Sequence, residues 1–203
     1  MKQLKSIFFI LILTSTLGQF FSDLYLPSIP AISKSLKTST ELTQLTVSIY
    51  LLGYSISSLM YGPISDTFGR KKPLLLGLIL CLIGSFICMM STDISILISG
   101  RLIQGIGGGA GMTITSAIIR DCCEGKKMAK FGSYLTMANM VVIIAAPVLG
   151  GYFQIFFGWN ASFQFLFVYS FIILILVGLF LPETKDENHR VHLKLYSNAI
   201  ENK

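Results

Sequence analysis

The sequence predicts an all-α membrane protein with six transmembrane helices and both termini in the cytoplasm. Three observations carry that reading. Hydrophobic residues make up 53% of the 203 positions and charged residues only 13%, whereas about a quarter of a soluble domain is charged. Apolar stretches of the roughly 20 residues that cross about 30 Å of hydrocarbon recur six times: Ile7–Pro27, Gln44–Pro63, Pro73–Met90, Ile94–Ile118, Phe131–Phe153 and Ser162–Leu181. With the N-terminus inside, the basic residues fall on the inner segments. These are Lys2 and Lys5, Arg70 to Lys72, Arg120, Lys126, Lys127 and Lys130, and then Lys185, Arg190, Lys194 and Lys203; only Lys34 and Lys37 lie outside and Arg101 lies within a span. That asymmetry is the positive-inside bias, and it accounts for the net charge of +6 with no nucleic-acid partner.

Each element follows from its local chemistry. The first span, preceded by two lysines, resembles a signal peptide in outline, but no small-residue cleavage site follows it and five more spans do. The polar outer segment 31–43 reads as a linker to the second span. The inner connection "GPISDTFGRKKP", residues 62–73, reads as a tight turn. Gly62 and Gly69 permit the backbone it needs, and Asp66 is within reach of Arg70. The charged inner segment 121–130 separates the fourth and fifth spans. Pro147 in mid-span removes a helical hydrogen bond, and Gly150 with Gly151 allows a neighbouring helix to come close. After the sixth span, 182–203 is a hydrophilic cytoplasmic tail. Cys81, Cys88, Cys122 and Cys123 have neither the spacing nor the histidines of a zinc site, so no metal and no disulfide are expected.

The fourth span contains "RLIQGIGGGAGM", residues 101–112. Gly105, Gly107 and Ala110 fit the dinucleotide fingerprint, but that motif needs a strand before it and an acid about 20 residues on at the next strand's end. Here the glycines sit inside an apolar span. The small residues Gly105, Gly107, Gly108 and Gly109, with Gln104, instead predict a groove for close helix packing.

Charges inside a span cost several kcal/mol unless paired or hydrated, which makes Asp23 and Arg101 functional candidates. Each lies seven residues below the predicted outer boundary, roughly 10 Å down at 1.5 Å per residue. They are therefore expected to face each other, directly, through Gln104 or through a water, and to act as a proton-coupling pair. A broad aromatic site for hydrophobic ligands is expected at Tyr25, Tyr50, Tyr54 and Met112.

Four motifs add a resemblance. Residues 62–73 resemble the G-x-x-x-D-x-x-G-R-[RK]-[RK] loop of the major facilitator superfamily, carried here by Gly62, Asp66, Gly69 and Arg70. Arg101, Gln104, Gly105, Gly107 and Ala110 resemble its R-x-x-Q-G-x-G-x-A motif. "APVLGG", residues 146–151, resembles the G-P-x-x-G-G antiporter motif through Pro147, Gly150 and Gly151, with Val142 and Ala146 replacing two further glycines. "DLYLPSIP", residues 23–30, is similar to the D-x-Y-L-P-x-x-P signature of the Bcr/CflA (bicyclomycin resistance) subfamily.

The resemblance implies the N-terminal half of a twelve-helix transporter of the inner membrane, multi-pass and not an enzyme. It also implies a truncated or split protein, with the tail standing where the central linker would be. The implied activity is export of small hydrophobic drug-like molecules, driven by the proton gradient with no cofactor. The loop and antiporter motifs would gate it, and a second six-helix half, a copy of this chain or a separate one, would complete it within the lipid bilayer. A non-transporting fragment or interaction partner left by a split gene, and a metabolite transporter of the same fold, stay open on the sequence.

Overall fold

The computed structural model describes residues 2–184, with side chains from Ile7 onward, so the expected tail lies outside the described residues from Lys185 on. Among the described residues every regular element is a helix: α1 Lys2–Asp23, a 3-10 turn Leu26–Ser28, α2 Ile29–Ser35, α3 Thr40–Phe68, α4 Lys71–Met89, α5 Ile94–Cys122, α6 Gly125–Phe157 and α7 Asn160–Phe180. Six stretches, α1 with α2 and then α3 to α7, are long and apolar enough to cross a membrane.

The first span departs from a single straight helix. α1 stops at Asp23, and the chain passes through the 3-10 turn before α2 resumes. Pro27 and Pro30 each occupy the first turn of the helix they open, where a missing N–H costs nothing; neither could continue α1. The segment 31–43, expected to be a linker, accordingly carries most of α2. The other helices run past the apolar limits read from the sequence. α6 has 33 residues, about 50 Å at 1.5 Å each, because polar residues leave the lipid without leaving the helix. Ser39 caps α3 through Leu42 N at 3.3 Å. Asp93 caps α5, accepting from Ser95 N at 2.7 Å and Ile96 N at 3.1 Å. Both caps satisfy amides that the helix itself leaves open.

Gly62 is not part of the turn. It lies inside α3, with open space where a side chain would be, because a helix of this length tolerates the roughly 1 kcal/mol cost of one glycine. Gly69 alone turns the chain, at φ +87°.

α5 is the most buried helix and α6 the least. α3 and α4 flank α5, α1 and α7 close the bundle, and α6 leans on α1 and the turn after it. The glycines of α5 explain this arrangement on two sides. A Cβ on Gly105 would strike the Tyr50 carbonyl of α3, and one on Gly109 the Ser57 hydroxyl. One on Gly107 would lie 2.7 Å from Cys81 N of α4, and one on Gly108 would lie 3.1 Å from the Tyr50 hydroxyl. In lipid no hydrophobic force drives helices together, so backbone approach at small residues supplies the packing energy. α3 and α6 meanwhile present exposed apolar side chains, among them Leu59, Ile144, Val148 and Ile155.

Candidate functional site

Arg101 is fully buried and lies over the rings of two tyrosines, its guanidinium carbon 4.2 Å from the Tyr25 ring centroid and 4.3 Å from that of Tyr50. Tyr25 comes from the break after α1, and its hydroxyl meets Thr46 Oγ1 of α3 at 3.1 Å. Tyr50 comes from α3 and donates to the Gly18 carbonyl of α1 at 2.7 Å. On the Nη1 side Arg101 donates to Gln104 Oε1 at 2.7 Å, and Gln104 Nε2 donates to Ser85 Oγ of α4 at 2.9 Å. Among the described residues Nε and Nη2 are buried with no hydrogen-bond partner.

Asp23, half-buried as the last residue of α1, accepts instead from Gln19 Nε2 at 2.5 Å, one turn back. The expected meeting of Asp23 with Arg101 is not a direct ion pair here: none joins them among the described residues. The depth comparison assumed straight helices, and α1 ends where Asp23 begins. Two negative ring faces answer the charge in its place, each worth about 2 kcal/mol when desolvated. Tyr25 and Tyr50 are both buried against the arginine. Tyr54 and Met112 are half-buried.

The antiporter-like segment of α6 meets the same break. Gly150 presses on the Leu24 carbonyl, where a Cβ has no room, and Gly151 faces Pro27 Cβ, which a Cβ would meet at 3.9 Å. Ala146 is fully buried one turn earlier. Pro147 lies within α6, which continues through it.

A second cluster ties the inner ends of the helices. Arg70 pairs with Asp66 of α3 at 2.6 Å and with Asp121 of α5 at 2.7 Å, and its Nη1 donates to Ser65 Oγ at 2.6 Å. Burial works against the Arg70 charge, but its bonds to Asp121 and Asp66 outweigh that and push its pKa up. Glu183, beyond the end of α7, accepts from the backbone N–H of Arg70 at 2.7 Å and of Lys71 at 3.1 Å. Lys71 Nζ donates to the Gly178 carbonyl at 2.9 Å. A carboxylate at the start of α4 matches the open amides and positive end of that helix.

Glu183 was not among the residues singled out from the sequence. Its only signal there is an acid two residues after the end of the last span, in "PET". Replacing it by alanine is expected to cost about 1–2 kcal/mol and to speed amide exchange at residues 70 and 71, measured by hydrogen–deuterium exchange. Unchanged exchange there would show that the cap is not needed. Cys81, Cys88, Cys122 and Cys123 form no disulfide among the described residues, and among those residues no group of three or more His, Cys, Asp or Glu is placed to hold a metal.

The chain matches the family model of the Major Facilitator Superfamily over residues 8–194. It is 35% identical over 202 residues to a bicyclomycin resistance protein homolog of Haemophilus influenzae, covering 96% of this chain and 50% of that protein. It is 29% identical over 175 residues to multidrug resistance protein D of Escherichia coli, covering 86% and 44%. Its fold is similar to the proton:xylose symporter XylE, with a TM-score of 0.81 at 16% identity over 98% of this chain and 52% of that one. The chain thus spans about half the length of the curated relatives it matches.

Proposed function

The chain belongs to the Major Facilitator Superfamily, whose members are transporters and not enzymes, and from that premise we propose that it is the N-terminal half of a proton-coupled drug exporter of the bicyclomycin-resistance type. It is a multi-pass protein of the inner membrane. The observation that carries the reading is a fully buried arginine beside the α1 break, with the α1 carboxylate Asp23 two residues from the tyrosine that covers it and Gly150 of α6 pressed on the same break. A titratable group next to a permanent charge, at a joint between helices, is what links a proton to a helix movement.

On this reading Asp23 takes up and releases the proton, and Arg101 responds to its charge. The loop of Asp66, Gly69 and Arg70 and the α6 segment of Pro147, Gly150 and Gly151 set which side is open. The energy comes from the proton gradient and no cofactor takes part. A small hydrophobic drug-like substrate would meet Tyr54 and Met112 at the face that a second six-helix half completes, and that half is either a copy of this chain or a separate one. Covering this face also removes polar groups from lipid, where they are costly.

The test is efflux of a hydrophobic dye from cells that carry the chain alone and with a candidate second half. Drug export predicts efflux in at least one of the two, and Asp23→Asn is expected to reduce its proton-driven part to background with the protein still present in the membrane. Efflux that ignores Asp23→Asn would remove the coupling role, and its absence from both arrangements would leave a membrane fragment that moves nothing.

A further inference from the structure

We propose that Tyr25 and Tyr50 form a clip that fixes the Arg101 guanidinium by its faces and keeps its Nε–Nη2 edge open for a carboxylate. The inference deepens the coupling reading above, which assigned Arg101 a charge but no mechanism of presentation. Two rings and one amide hold the guanidinium. Its carbon lies over the Tyr25 and Tyr50 rings, 4.2 and 4.3 Å from their centroids, and neither ring can swing away freely. One hydroxyl is tied to Thr46 on α3 and the other to the Gly18 carbonyl on α1. The Nη1 corner is held by Gln104, itself anchored to Ser85 on α4. Among the described residues the edge carrying Nε and Nη2 has no hydrogen-bond partner, and it is buried.

That edge presents two parallel N–H groups, the geometry in which arginine binds a carboxylate through both oxygens. Lysine could not replace it, because an ammonium has neither the planar face for the rings nor the paired donors. Buried donors left unmade are costly, so the arrival of a carboxylate relieves a cost the bundle already carries.

The nearest carboxylate along the chain is Asp23. It lies two residues before Tyr25. Gln19 is its present partner. The backbone between Asp23 and Tyr25 is the joint that separates α1 from the turn, so a small change there would move the carboxylate relative to the clip. A carboxylate from outside the chain, on a transported molecule or on a second half, has the same chemistry.

The experiment uses the purified chain in lipid nanodiscs and reads its thermal unfolding midpoint. Tyr25→Phe is expected to hold the midpoint near that of the unmodified chain. Tyr25→Leu and Tyr50→Leu are expected to lower it, and the drop should largely vanish when either is made together with Arg101→Met. Arg101→Gln, which likewise removes the charge, serves the same purpose if the methionine variant does not fold. Equal drops with and without Arg101 would overturn the clip.

Benzoate is the carboxylate probe. It is expected to raise the midpoint of Asp23→Asn saturably and to do nothing for the chain lacking Arg101; a rise that persists without Arg101, or no rise in Asp23→Asn, would overturn the open edge. Weaker benzoate binding to the unmodified chain than to Asp23→Asn identifies Asp23 as the occupant. Equal binding assigns the edge to an external carboxylate and overturns Asp23 in that place. None of these readings involves transport, so their failure and the failure of the exporter assignment are separate results.

Discussion

Replacing Arg70 by alanine is expected to cost the folded chain about 3–5 kcal/mol, the usual loss when one member of a buried ion pair is removed. The Arg70 side chain is only 8% exposed and that of Asp121 only 14%. The substitution strips from the Asp121 carboxylate both of its bonds to the guanidinium, at 2.7 and 3.4 Å, and unties Ser65 as well. Asp66 is 65% exposed, so Asp66→Asn is expected to cost no more than about 1 kcal/mol. Arg70→Lys should recover little, because one ammonium cannot serve Asp66, Asp121 and Ser65 in the planes a guanidinium offers. Denaturant unfolding of the three variants in micelles checks the order. If Arg70→Ala and Asp66→Asn prove alike, the knot is a surface feature with no structural weight.

Gly150→Ala is expected to be the most damaging single-carbon change in α6. The added Cβ would fall on the Leu24 carbonyl oxygen, a backbone atom that cannot rotate aside as a side-chain tip would. Overpacking of this kind costs about 1–3 kcal/mol and sometimes more; here the relief available is to lift α6 off the joint between α1 and the turn. The neighbouring Gly151→Ala supplies the control, since its Cβ would meet Pro27 at an ordinary 3.9 Å and should be tolerated. A fall in thermal midpoint for the first and none for the second is the expected pair of results. In a transport-competent assembly efflux should follow the same order. Equal tolerance at both positions would mean that α6 does not bear on the joint.

The contrast between the two glycines also marks how far the sequence could be read. The six spans were legible because lipid demands long apolar stretches, and the tight packing of α5 was legible from its run of small residues. The end of α1 at Asp23 was not, although Pro27 and Pro30 were in view, because apolar character runs across the break and hides it. Gly62 looked like part of the turn because glycine favours turns, yet only Gly69 adopts a positive φ there.

At the buried arginine, charge and depth pointed to a carboxylate. The aromatic faces that meet Arg101 instead could be found only once the break had turned Tyr25 inward. Asp66 and Arg70 were adjacent enough to be paired by inspection. The contact of Glu183 with Arg70 spans 113 positions, and nothing local announces it.

The clip around Arg101 has an electrical consequence. An arginine does not give up its proton in a protein, so α5 carries a fixed positive charge inside the transmembrane field, and tyrosine faces hold that charge without cancelling it. Moving one elementary charge through the whole potential is worth about 2.3 kcal/mol per 100 mV, so a rocking of α5 that takes Arg101 through a third of the field exchanges about 0.8 kcal/mol per 100 mV with the membrane. A potential negative on the inside draws the guanidinium inward, so on the exporter reading proposed above the voltage of the cell would be one of the forces that choose between conformations of the bundle.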